Sequence, residues 1–324
     1  MARSSVRIGL NHQNLTSNLE IWMQSGKWLR YRGQDVFVKV SGVGPPLMLL
    51  HGFPTSSYDW RKVYEELSTR HTVIMLDMLG LGFSSKPERL DYRLSQHADL
   101  CEWLIFTLGL DNLSLVAHDL GVSVAQELLA RRMLDRSLAK IRSLTIINGS
   151  PFPEASQPKH LAHLFLPPFG AVISHRLLRP AFDRALRPLF AESHQPDADS
   201  MDDLWGLVVF RGGLKVLRMV GQFSRERLSL RNRLVAPLFE QFAPILFIVG
   251  EADPSSGRKM ADRYESLVPN ANVVRLEGVG FWPQLEQPDL ITKYVTEFSD
   301  RHQASKYATL HPQPILNDFH PKNC

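Results

Sequence analysis

Six apolar runs of strand length, spaced by longer stretches of helical periodicity, constrain this chain more than any other feature. They are LMLLHG (Leu47 to Gly52), TVIMLD (Thr72 to Asp77), LSLVAH (Leu113 to His118), SLTIIN (Ser143 to Asn148), PILFIVG (Pro244 to Gly250) and NVVRLE (Asn272 to Glu277). Near-continuous aliphatic runs of this length read as strands buried on both faces. Between them SQHADLCEWLIFTLGL, GVSVAQELLARRML and RKMADRYESLV read as amphipathic helices. The alternation predicts an α/β fold with a doubly wound, mostly parallel sheet. KWLRYRG and QDVFVKVSG predict a hairpin that enters it.

One interval breaks the rhythm. From Ser150 to about Val235 there is no convincing strand, only helix-like pieces punctuated by Pro151, Pro153, Pro167, Pro168, Pro180, Pro188 and Pro196. A helical insertion of this kind forms a lid over a site at the sheet edge. The expected organisation is an N-terminal extension over 1–27, a core of 28–149 and 236–302, a helical cap over 150–235, and a polar tail over 303–324 expected to be disordered.

Composition narrows the classes. The chain has 324 residues, 44% hydrophobic and 22% charged, enough for one large domain with an insertion. Two cysteines, Cys101 and Cys324, are too few for a disulfide framework, which favours a reducing, cytoplasmic setting. The first residues lack the apolar core of a signal peptide, and no run of about eighteen apolar residues occurs; the sequons at Asn14 and Asn112 therefore carry little weight. Net charge is +4, and the Ser150–Val235 segment alone holds twelve Lys and Arg against eight Asp and Glu. Without dense basic clusters or a motif, nucleic acid is not an expected partner. A solvated basic face is the leading reading and contact with an anionic membrane surface the minor one. GLGFSS lacks the third glycine of a dinucleotide fingerprint, no phosphate loop is present, and the twelve histidines are scattered, so neither cofactor nor metal is implied.

The chemistry is concentrated where LSLVAH runs into AHDLG, Ala117 to Gly121, and then into a helix. A strand, a sharp turn between small residues and a helix make a nucleophile elbow, here centred on Asp119. A carboxylate there attacks carbon electrophiles and forms an ester; the competing reading is that Asp119 only caps the helix. The loop HGFP, His51 to Pro54, follows another strand, and the amides of Phe53 and Leu120 are the candidate oxyanion donors.

HGFPTSSYDW, LDMLGLGFSSKP, AHDLG, GEADP and GVGFWPQLEQP, in this order, resemble the α/β-hydrolase family over roughly Trp28 to His302. The Asp at the elbow is similar to the epoxide hydrolase and haloalkane dehalogenase branch, and HGFPTSSYDW with HD-x-G and VAQELL resembles the mesoderm-specific transcript group and its bacterial relatives. The resemblance implies that Asp119 is the nucleophile, that Asp253 in GEADP orients a histidine, and that the histidine position is held by Phe281. It also implies a small-molecule substrate, largely apolar, and a pocket to which His51, Trp60 and Trp205 contribute. Asp77 matches a structural turn residue.

Departures from the branch are specific. Ser150 to Val235 contains no tyrosine to protonate an epoxide oxygen, and Leu120 stands where dehalogenases usually place a tryptophan. Phenylalanine cannot accept a proton, so the water that should cleave the ester has no base. Three explanations stay open: a substitution that traps an intermediate, a natural loss of turnover in a protein that now binds a ligand or partner, or a histidine arriving from His160, His163, His175 or His194. Loss of turnover ranks above rescue, because a replacement must also meet Asp253. His51 and His118, at strand ends, are expected to have supporting roles at most.

Overall fold

A computed structural model of the chain describes residues 15–156 and 179–302. The eight strands are β1 (Lys27–Tyr31), β2 (Gln34–Ser41), β3 (Pro46–Leu50), β4 (Thr72–Leu76), β5 (Asn112–His118), β6 (Lys140–Ile147), β7 (Ile245–Gly250) and β8 (Val273–Leu276). They form one sheet in the order β1-β2-β4-β3-β5-β6-β7-β8. β2 runs antiparallel to β1 and β4, and every other pair is parallel. Each expected strand is present, and the β1–β2 hairpin closes over Arg32 and Gly33, both at positive φ, as a two-residue turn of the primed type requires.

Alternation along the strands divides two cores. Met48, Leu50, Leu115 and Ala117 pack with Phe53, Leu120 and Phe281. Leu47, Leu49, Val116 and Ile248 join Trp60, Val63, Ile291 and Val295 in a second cluster. The period of two sends neighbouring residues to opposite faces. The helices Leu94–Thr107 and Leu120–Leu134 lie against each other, as the helical periodicity predicts.

Between β6 and β7 the described chain is helical: Arg179–Leu186, Ala198–Val209, Gly213–Gly221, Phe223–Ser229 and Arg231–Phe239. The basic excess of this stretch is partly spent on acids. Arg233 forks onto Glu127 at 2.7 and 3.0 Å, Arg231 meets Glu154 at 2.7 Å, and Lys215 meets Glu88 at 3.0 Å. Residues 157–178, with three of the four histidines considered as substitutes (His160, His163, His175), and the tail from 303 lie outside the described residues.

The N-terminal segment carries structure the sequence reading did not assign. Ser17–Ser25 is a helix whose Leu19, Trp22 and Met23 are buried, with the Thr16 side chain capping the amide of Leu19 at 3.2 Å. Asp203 holds it in place, accepting from Thr16 Oγ1, from Asn18 Nδ2 at 3.2 Å and from the Tyr58 hydroxyl at 2.8 Å. Among the described residues no helix is long and apolar enough to cross a membrane.

Candidate active site

The parallel strands deliver their C-terminal ends to one edge, where open α/β sheets place their sites. At the end of β5, Asp119 has φ 47° and ψ −105°, and the helix Leu120–Leu134 starts at the next residue. That backbone state costs an L-residue about 1–3 kcal/mol and persists where the surroundings enforce it. They do so by closeness. A Cβ on Gly121 would lie 2.3 Å from the Leu50 carbonyl oxygen, and one on Gly52 would lie 2.7 Å from His118 Nδ1 and 3.0 Å from Asp119 Cβ. Only glycine lets β3 and the elbow approach this far.

Asp119 is fully buried, and its side chain makes no capping bond to its own helix. Instead its Oδ2 accepts the Phe53 amide at 3.0 Å. The helix-cap reading therefore loses its physical basis, and the HGFP loop presents a backbone donor to the carboxylate. The Leu120 amide opens the helix, where N–H groups have no intrahelical acceptor.

The two flanking histidines are struts. The Met78 amide donates to His51 Nε2 at 3.0 Å, so Nδ1 carries the proton and donates to the Gly52 carbonyl at 2.8 Å. Burial pushes the His51 pKa down, and both ring nitrogens are engaged by backbone. His118 Nε2 stands 2.8 Å from the Phe281 carbonyl oxygen, so that nitrogen is the donor. It ties the elbow strand to the last loop. Asp77 is likewise a turn anchor, accepting the Ser57 amide at 2.8 Å and the Phe83 amide at 2.7 Å.

Asp253, after β7, is saturated with donors: the Ser255 amide at 2.8 Å, the Ser256 amide at 3.0 Å, the Ser256 hydroxyl at 2.5 Å and Asn148 Nδ2 at 3.1 Å. Asn148, at the end of β6, had no place in the sequence reading. Its Nδ2 also donates to the Gly280 carbonyl at 3.0 Å and its Oδ1 accepts the Gly250 amide at 2.6 Å. One amide side chain thus links the acid to the loop that carries Phe281.

That loop is fixed from several sides. Glu286 is buried and accepts the amides of Gly280 at 2.7 Å, Trp282 at 3.2 Å and Ala191 at 3.2 Å. Burial raises its pKa against the lowering effect of those amides. The Phe281 amide donates to the Leu189 carbonyl at 2.8 Å. The Phe281 ring, 2% exposed, meets His118 edge-on with centroids 4.7 Å apart and Trp282 at 4.6 Å. Trp282 in turn stacks on Phe190 at 4.6 Å.

Of the two tryptophans expected in the pocket, Trp205 packs against the cluster that holds Phe53, Leu120 and Phe281, and Trp60 does not. Trp60 is fully buried in the cluster with Leu47, Leu49 and Val116, apart from the cluster of Phe53, Leu120 and Phe281. Trp205 is half-buried against Phe182 at 5.3 Å, joining two helices of the β6–β7 connection. His194 contacts Gln287 Nε2 at 2.9 Å and the Ser193 hydroxyl at 3.0 Å, which occupies both ring nitrogens. Among the described residues no group of three or more His, Cys, Asp or Glu could hold a metal ion.

A family model described as alpha/beta hydrolase fold matches residues 45–288. This chain belongs to the α/β-hydrolase family. The mesoderm-specific transcript protein of Mus musculus, another relative by sequence, is 38% identical over 288 residues, covering 85% of each chain. A protein described as putative hydrolase LipZ of Mycobacterium tuberculosis is 32% identical over 269 residues, covering 82% of this chain and 93% of that one. Among solved structures, the epoxide hydrolase CorEH superimposes with a TM-score of 0.70 at 21% identity, covering 86% and 99% of the two chains. The haloalkane dehalogenase DbeA of Bradyrhizobium elkani does so with a TM-score of 0.73 at 24% identity, covering 87% and 99%. At such identities the two structures testify to the α/β-hydrolase fold alone.

Proposed function

We propose that this chain is a hydrolase-family protein whose nucleophile is Asp119 and whose release step is impaired at Phe281. The carrying observation is the buried Asp119 carboxylate at a strained elbow, facing the Phe53 amide at 3.0 Å. In the first step an Asp119 oxygen attacks an electrophilic carbon of an epoxide, alkyl halide or activated ester, the bond to the leaving group breaks with its electron pair, and an aspartyl ester or anhydride forms. The Phe53 and Leu120 amides then stabilise the oxygen that becomes negative when water attacks that carbonyl. That second step needs a base, and Phe281 supplies none. Asp253 keeps the position of the orienting acid, with Ser255, Ser256 and Asn148 satisfying its oxygens. The helices between β6 and β7 act as the lid, and the scheme uses no cofactor.

A second reading rests on Phe281 itself. A ring buried against His118 and Trp282 supports a catalytically silent protein that keeps the pocket for ligand binding. Peptide mapping after incubation with an epoxide, an alkyl bromide and an activated ester separates the two. A mass increment on the peptide containing Asp119, absent in Asp119→Asn, supports capture. An unmodified peptide with every reagent leaves the silent reading.

A further inference from the structure

Arg227 has no part in the scheme above, yet it is 2% exposed. It sits on the helix Phe223–Ser229 of the lid. Its Nη2 donates to the Ser156 hydroxyl at 3.1 Å, while Nε and Nη1 have no hydrogen-bond partner among the described residues. No carboxylate among the described residues lies within ion-pairing distance of it. A guanidinium carries five donors and stays charged, so burying it with most of them unmet is costly unless something else completes the site. The same molecule shows what a structural arginine looks like: Arg131 and Arg233 converge on Glu127 with contacts of 2.7 to 3.0 Å.

A short chain of contacts links Arg227 to the reactive centre. The Arg227 guanidinium carbon lies 5.5 Å from the Phe223 ring, and that ring lies 5.9 Å from Phe53, whose amide contacts Asp119. Burial pushes the guanidinium pKa down, and the charge that pushes it back is Asp119. The two groups therefore sense each other electrostatically without touching as an ion pair. A ligand anion placed between them would take the unmet donors, and its reactive carbon would face the carboxylate.

We propose that Arg227 is an anion-recognition residue and that the electrophile captured by Asp119 carries a carboxylate. This rests on the nucleophile reading and narrows its substrate class. A planar carboxylate matches the guanidinium fork in a way that neutral epoxides and halides do not. For a halo acid, the Asp119 oxygen forms a bond to the carbon bearing the halogen, the halide leaves with the bonding pair, and Arg227 holds the acid end without exchanging a proton.

The test compares bromoacetate with bromoacetamide on the full chain, reading the rate of adduct formation on the Asp119 peptide. Cys101 is buried with its thiol pushed up to about 12, and peptide mapping separates any thiol product. The acid-to-amide rate ratio is expected to fall at least tenfold in Arg227→Gln, and less in Arg227→Lys. A second arm needs no chemistry: millimolar propionate should raise the melting temperature of the wild-type protein at fixed ionic strength, and propionamide should not. A ratio unchanged in Arg227→Gln, or equal stabilisation by propionate and propionamide, overturns the proposal. If Arg227→Gln does not fold, the wild-type propionate comparison and Arg227→Lys decide. Propionate binding that depends on Arg227, with no adduct from either reagent, would sink the nucleophile reading and leave the anion site standing.

Discussion

Phe281→His is the substitution for which the structure allows the fullest reckoning. The backbone at this position is set independently of the side chain: its amide donates to Leu189 at 2.8 Å, and the amides of Gly280 and Trp282 both reach Glu286. An imidazole would enter the same slot, beside a loop that Asn148 clamps to Asp253. Two aromatic contacts, to His118 and Trp282, are largely kept, each worth about 0.5–1.5 kcal/mol. The main cost is desolvating a ring nitrogen, about 1–3 kcal/mol if it finds no partner and less if Asp253 accepts from it. The variant should therefore fold with a melting temperature lowered by several degrees at most. The gain is kinetic, because a triad base contributes on the order of 10⁴-fold or more. The assay is to load Asp119 with an alkyl halide, remove the excess, and follow decay of the adduct mass. In Phe281→His the adduct should decay at least about 10³-fold faster than in the wild type. Decay should accelerate with pH across the imidazole range, and in water enriched in oxygen-18 one heavy oxygen should remain in Asp119. Adding Asp253→Asn should remove most of the gain. A folded Phe281→His variant that forms the adduct and keeps it as long as the wild type would refute the reasoning.

Two further outcomes follow from the packing. Gly121→Ala places a Cβ 2.3 Å from the Leu50 carbonyl, where the Gly121 amide is already committed to His51 at 3.1 Å; the loss should exceed about 3 kcal/mol in chemical denaturation, and an unchanged midpoint would contradict it. Asp59 is buried, and burial raises its pKa from 3.8 to about 7 against the bond from Thr55. The folded state then holds a proton that the unfolded state has lost, so the Asp59 contribution to stability falls as pH rises from about 4 to 7. Asp59→Asn removes this dependence, and its stability relative to the wild type should rise over that window, by at most on the order of 4 kcal/mol. A difference that stays flat from pH 4 to 8 would show that the carboxyl titrates normally.

The parallel sheet was legible because it is buried on both faces: runs such as LMLLHG and PILFIVG have nowhere else to go. The sharp turn after β5 was legible because small residues flank it, and Gly121 there has no room for a Cβ while Asp119 has φ 47°. Residues whose role depends on a distant partner were not. Asn148 reads as an ordinary strand end until Asp253 and Gly280 are brought against it. Arg227 is one of twelve basic residues in its segment, and nothing local separates it from Arg231, which reaches Glu154 at the surface. Trp60 follows the HGFP loop closely enough to suggest a pocket wall, yet the chain turns through Ser57–Trp60 and buries it in the other cluster. The Ser17–Ser25 helix is too short to announce itself by periodicity and depends on Asp203, far along the chain.

The central claim is capture without release, and counting halide tests it most directly. The wild-type chain, incubated with excess alkyl bromide, should release one bromide per chain and then stop, with Asp119→Asn releasing none. Bromide that continues to accumulate linearly past one equivalent would mean that a base other than residue 281 serves Asp119, which contradicts capture without release.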